Sequence, residues 1–126
     1  MTAIKYSVNV QISGGPTLAY NDELQVDAYD RLDVVIPKEN AGTSVEVHPG
    51  QAGDVKLLAI RSSTADEKVA FENGAGVWVG LKNPLLLTGA GVGVLAGGGP
   101  GTMKFKNGLT TPVTVTIIVG RSAIQP

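Results

Sequence analysis

Apolar residues at Val8, Val10 and Ile12 alternate with Ser7, Asn9, Gln11 and Ser13. A period of two is the mark of a strand with one buried face. Gly14-Gly15-Pro16 interrupts it, and Asn21-Asp22 predicts a further turn before the alternation resumes at Leu24, Val26 and Ala28. Leu32, Val34 and Ile36 form the next apolar face, which Pro37 ends because it cannot donate to a ladder. Residues 38–42 read as a polar loop, and Val45 and Val47 as a short strand closed by Pro49-Gly50. Val55, Leu57 and Ala59 interleave with Leu58 and Ile60, so this strand is apolar on both sides and belongs in the interior of a sheet. Residues 62–68 are polar, with room for one helical turn. Beyond them come strands at Val69 and Phe71, at Val77 to Val79, at Leu85 to Leu87 and around Val92, Val94 and Leu95. Asn73-Gly74 marks a turn between the first two. Met103 and Phe105 alternate with Lys104 and Lys106, and Asn107-Gly108 is a hairpin signal. The last strand sets Val113, Val115, Ile117 and Val119 against Thr114, Thr116 and Ile118.

The pattern predicts roughly eight to ten short strands at the spacing of a sandwich or barrel. The expected fold is therefore all-β: a single β-sandwich over residues 1–126, of jelly-roll or Greek-key type. No internal repeat or linker divides the chain. At 126 residues it buries a core without covalent staples. Each large aliphatic side chain taken out of water contributes roughly 1.5–3 kcal/mol.

Composition narrows the chemistry. There is no cysteine, which removes disulfides, thiolate metal sites and a Cys nucleophile together. Ten basic and eleven acidic residues leave a net charge of -1 with no basic run, so a surface that tracks nucleic-acid phosphates is not expected. Charged residues make up 17%, against about 25% in an average domain, which suggests surface covered by copies of the chain or by a partner. The N-terminus lacks the pattern of a signal peptide. The longest mostly apolar stretch, residues 85–96, is too short and too glycine-rich to span a bilayer, so synthesis in a cytoplasm and no membrane partner are expected.

Candidate chemistry is sparse. Gly91-Val92-Gly93-Val94-Leu95-Ala96 fits a dinucleotide fingerprint, but Gly97-Gly98-Gly99-Pro100 follows where a helix must start, and no acidic residue occurs after Glu72. Glycines at such positions more often mark a bulge or a close approach of backbones. Asp27, Asp30 and Asp33 are evenly spaced oxygen donors, but odd and even positions point to opposite faces of a strand. Glu46 and His48 lie on one side of a strand and could form an acid–base pair, with no nucleophile at hand. The several histidines of a cupin metal site are missing. No catalytic residue, metal or cofactor is expected. Among six aromatics, Trp78 together with Tyr29 could form an exposed sugar-binding platform, although Trp78 between two valines is more readily a packed residue.

The second half has a particular texture: Val55-Lys-Leu-Leu-Ala-Ile-Arg-Ser-Ser, Leu85-Leu-Leu-Thr-Gly-Ala-Gly-Val, Met103-Lys-Phe-Lys-Asn-Gly and Val113-Thr-Val-Thr-Ile-Ile-Val-Gly-Arg. Over residues 55–121 this resembles the small all-β virion proteins of tailed bacteriophages, of the capsid-decorating or accessory kind. The resemblance implies a non-enzymatic protein located in the virion. Its expected partners are copies of itself, with a trimer favoured, and a major capsid or other virion protein. The candidate contact segments are residues 1–6, with Ile4 and Tyr6, and residues 89–101, with Gly89, Gly91, Gly93, Gly97, Gly98 and Gly99. A small carbohydrate- or ligand-binding sandwich using Trp78 and Tyr29 is the alternative.

Overall fold

A computed structural model describes residues 2–47, 55–72, 76–88, 92 and 102–122. Its regular structure is all strand. A two-stranded ribbon comes first, β1 (Thr2–Gln11) and β2 (Thr17–Val26). Then follow β3 (Ala28–Ile36), β4 (Asn40–Glu46), β5 (Val55–Ser62), β6 (Val69–Glu72), β7 (Trp78–Gly80), β8 (Leu85–Thr88), β9 (Thr102–Asn107) and β10 (Val113–Arg121). These eight form two four-stranded antiparallel sheets, ordered β3-β10-β5-β8 and β4-β9-β6-β7. The expected all-β sandwich is the fold, and β5 holds the interior position that its two-sided apolar pattern requires.

The pairing is nested. β3 pairs with β10, β4 with β9, β5 with β8 and β6 with β7. Strands β3 to β6 thus lie along β7 to β10 as in one long folded hairpin, and β10–β5 and β6–β9 ladders complete the sheets. Alternate residues of both sheets meet in one core: Val113, Val115, Ile117, Val119, Leu58 and Ile60 from the first, Phe71, Met103 and Phe105 from the second. Val92 joins this core; the remainder of its predicted strand lies outside the described residues.

Several local expectations are corrected. Asn21 and Asp22 sit inside β2, paired with Ser7 and Tyr6, because the cross-strand ladder outweighs their turn preference. Residues 40–42 belong to β4, which starts with a register irregularity between Asn40 and Thr43. Residues 63–68 form bends and turns with no helix. Asn107-Gly108 is not a hairpin turn, since β9 and β10 lie in different sheets. Asn107 is instead fully buried. Its amide group donates to the carbonyls of Ile36, Pro37 and Thr111 at 3.3, 3.2 and 2.9 Å, and its Oδ1 accepts from the N–H of Leu109 at 2.9 Å. One side chain thereby ties the β3–β4 turn to the β9–β10 connection. The Asn73-Gly74 turn and His48 lie outside the described residues.

Candidate interaction surface on the N-terminal hairpin

The hairpin β1–β2 is held by a complete ten-pair antiparallel register, from Thr2 opposite Val26 to Gln11 opposite Thr17. Its turn uses Gly14 at φ 71°, a conformation L-residues rarely adopt, and closes with a hydrogen bond from Gly15 N to Ile12 O of 2.8 Å. Directly opposed residues share a face. One face therefore carries Ile4–Leu24, Tyr6–Asp22, Val8–Tyr20 and Val10–Leu18, and the other carries Ala3–Gln25, Lys5–Glu23, Ser7–Asn21, Asn9–Ala19 and Gln11–Thr17. The ribbon is amphipathic along its whole length.

Among the described residues, the closest cover of the apolar face is at its base. Gly120 on β10 is buried, and a Cβ there would lie 2.6 Å from Ile4 Cδ1, 3.4 Å from Val26 Cγ1 and 3.5 Å from Leu57 Cβ. Gly120 and Leu57 are opposed on the outer face of the first sheet, so Ile4 and Val26 seat the hairpin there. The peptide N–H of Asp27 donates to Arg121 O at 3.0 Å at the junction. Beyond the base the apolar side chains emerge: Val10, Ile12, Leu18 and Tyr20 are 47%, 58%, 61% and 48% exposed. Tyr6 and Tyr20 meet edge to face at 6.3 Å, and the Tyr6 O–H donates to Asp22 Oδ2 at 3.1 Å.

The predicted contact residues separate accordingly. Ile4 docks within its own chain, whereas Tyr6 is half-buried next to the exposed strip, edge to face with Tyr20. Gly89, Gly91, Gly93, Gly97, Gly98 and Gly99 lie outside the described residues. The strip itself, from Val8 to Tyr20, was not singled out by sequence reasoning. Its signal was the alternation at Val8, Val10 and Ile12, which sequence alone assigns to a buried face.

The residues of the alternative platform are not brought together. Tyr29 stands opposite Gly120 on the outer face of the first sheet. Trp78 stands opposite Glu72 on the outer face of the second, half-buried, with Lys106 Nζ 4.6 Å from its ring centroid. The three aspartates also disperse. Asp30 accepts from Arg121 Nε at 3.1 Å, and Asp33 accepts from Thr116 Oγ1 at 2.7 Å with Arg31 Nε 3.3 Å away. The Thr116 hydrogen bond, aided by Arg31, holds the Asp33 carboxyl below the usual aspartate range. Among the described residues, no group of three or more His, Asp or Glu could hold a metal ion. Among the described residues no helix is long and apolar enough to cross a membrane. No protein-family model, curated protein or solved structure matches the chain.

Proposed function

We propose that this chain is a non-enzymatic structural subunit of a bacteriophage particle, of the capsid-decorating or accessory kind. It acts through contacts with copies of itself and with a capsid or other virion protein. The observation that carries this reading is the hairpin β1–β2, a long amphipathic ribbon whose outer apolar strip has no cover within the described chain. Such a strip offers apolar surface to a partner. It is the ordinary signature of a protein that completes its burial on a partner.

The strand order gives a second support. Nested pairing that alternates between two sheets favours a jelly-roll reading, an architecture that viral capsid domains share with lectins and cupins. Fold alone does not choose among these. The separation of Trp78 from Tyr29 disfavours the lectin-like use, and the chain's single histidine disfavours the cupin-like one.

The reading is tested by sedimenting assembled phage capsids with the purified protein. Saturable binding at a fixed number of copies per particle is expected. Absence of binding to capsids, together with absence of the chain from purified virions by mass spectrometry, would overturn it.

A further inference from the structure

The arm's chemistry also indicates what covers it, given the assembly reading above. Residues 7–21 contain no Asp, Glu, Lys or Arg. The charged residues of the ribbon, Lys5, Asp22 and Glu23, begin immediately below that stretch, and Asp22 is held by the Tyr6 hydroxyl and the Glu23 N–H. A charged partner would find nothing complementary on the distal arm. Identical arms can meet there without like-charge repulsion, which is the condition for contact around a symmetry axis.

Two further features set the geometry. Neither outer edge of the ribbon has a strand partner within the described chain, although each is ten residues long. Long open edges are a liability that folds usually cover. The exposed apolar side chains of the ribbon, Val10, Leu18 and Tyr20, also all stand on one of its faces. Two arms stacked face to face would still leave all four edges open. With three arms, β1 of each copy can lie beside β2 of the next. Strand directions then alternate around the ring, so every new edge contact is antiparallel, and all three apolar strips point inward.

We infer that the hairpins of three copies close into a six-stranded antiparallel tube, with Val8, Val10, Ile12, Leu18 and Tyr20 of each packed about a three-fold axis. In that arrangement like residues of the three copies meet at the same height along the axis.

The cysteine-free chain makes this directly testable. Val10→Cys, Leu18→Cys and Tyr20→Cys are made singly, with Asn9→Cys on the polar face as control, and each is treated with a short bismaleimide. Covalent dimers are expected at all three apolar positions and not at Asn9. Light scattering should give a trimer mass for the untreated chain. Leu18→Glu should weaken self-association more than tenfold, and Thr17→Glu on the polar face should not, with Trp78 fluorescence confirming an intact sandwich in both. Cross-linking at one apolar height only would mean two antiparallel arms and would overturn the three-fold tube. A trimer without any arm cross-link would overturn the arm's role while leaving the assembly reading standing. A strict monomer that still binds capsids would likewise overturn the inference alone and assign the arm to a capsid protein. A monomer that binds no capsid would remove both.

Discussion

Asn107 is a polar side chain placed where the fold would otherwise carry unsatisfied backbone groups. Three carbonyls and one N–H from two loops converge on it in a site closed to water. A buried group stripped of its partner costs about 1–3 kcal/mol. Asn107→Ala is therefore expected to lower unfolding free energy by about 3 kcal/mol in urea titrations. Asn107→Asp, nearly the same shape, should do no better, because it turns an oxygen toward three carbonyl oxygens. Glu39 is the described non-glycine residue with positive φ, at 52°, in the turn before β4, and its N–H donates to Leu109 O. Left-handed backbone costs an L-residue about 1–2 kcal/mol, partly returned as unfolded-chain entropy when glycine replaces it. Glu39→Gly should thus stabilise by about 0.5 kcal/mol, read as a higher denaturation midpoint. Asp33 gives a pH signature. Its folded pKa lies below the ordinary 3.8, so its contribution is present above that value and is lost as pH falls through the lowered one. Thr116→Val should bring the Asp33 titration seen by carboxyl NMR back up toward 3.8.

At the scale of elements, the hairpin depends on one close approach. Isolated two-stranded ribbons are marginal in water, so the seat formed by Ile4 and Val26 over Gly120 and Leu57 keeps this one in place. Alanine at position 120 meets the far end of the Ile4 side chain, which can rotate aside. A β-branched residue also meets Val26 and Leu57. Gly120→Val is expected to release the arm while β3 and β10 stay paired. Tryptic cleavage at Lys5 should then accelerate at least tenfold, with the fluorescence of Trp78 unchanged. Equal cleavage rates in the two proteins would show that the base contact does not hold the ribbon.

For the molecule as a whole, nested pairing turns a feature of the linear charge distribution into cross-strand complementarity. Every acidic residue lies at or before Glu72. Because β3 to β6 pair against β7 to β10, the acid-bearing strands β3, β4 and β6 lie beside strands bearing none. Arg121 meets Asp30, and Lys104 reaches Glu72 at 4.0 Å. Such partly exposed pairs contribute modest energy each, but opposite signs across a ladder disfavour slipped registers. The same topology makes nearly every ladder non-local. Refolding should take milliseconds to seconds, as in other sandwiches of high contact order, and stopped-flow fluorescence of Trp78 would record it. Phe105 is fully buried at the centre of the core, and Phe105→Ala should cost about 3–5 kcal/mol.

The period-two alternation by itself determined that the fold is all-β, where most of its strands run, and that residues 55–60 occupy an interior position. Those properties follow from local sterics and from which side chains leave water, and both can be read along the chain. Tertiary structure alone decided which apolar faces find a partner. Val8, Val10 and Ile12 carry the same pattern as Val113, Val115 and Ile117, but the second set closes the core, whereas Val10 and Ile12 stand exposed on an arm and Val8 is half-buried. Alternation records that a face is apolar and not what lies across from it. It was likewise long-range pairing that moved Asn107 from a surface turn into the interior, set Trp78 and Tyr29 on different sheets, and placed Ile4 over Gly120, because each outcome depends on residues remote in sequence.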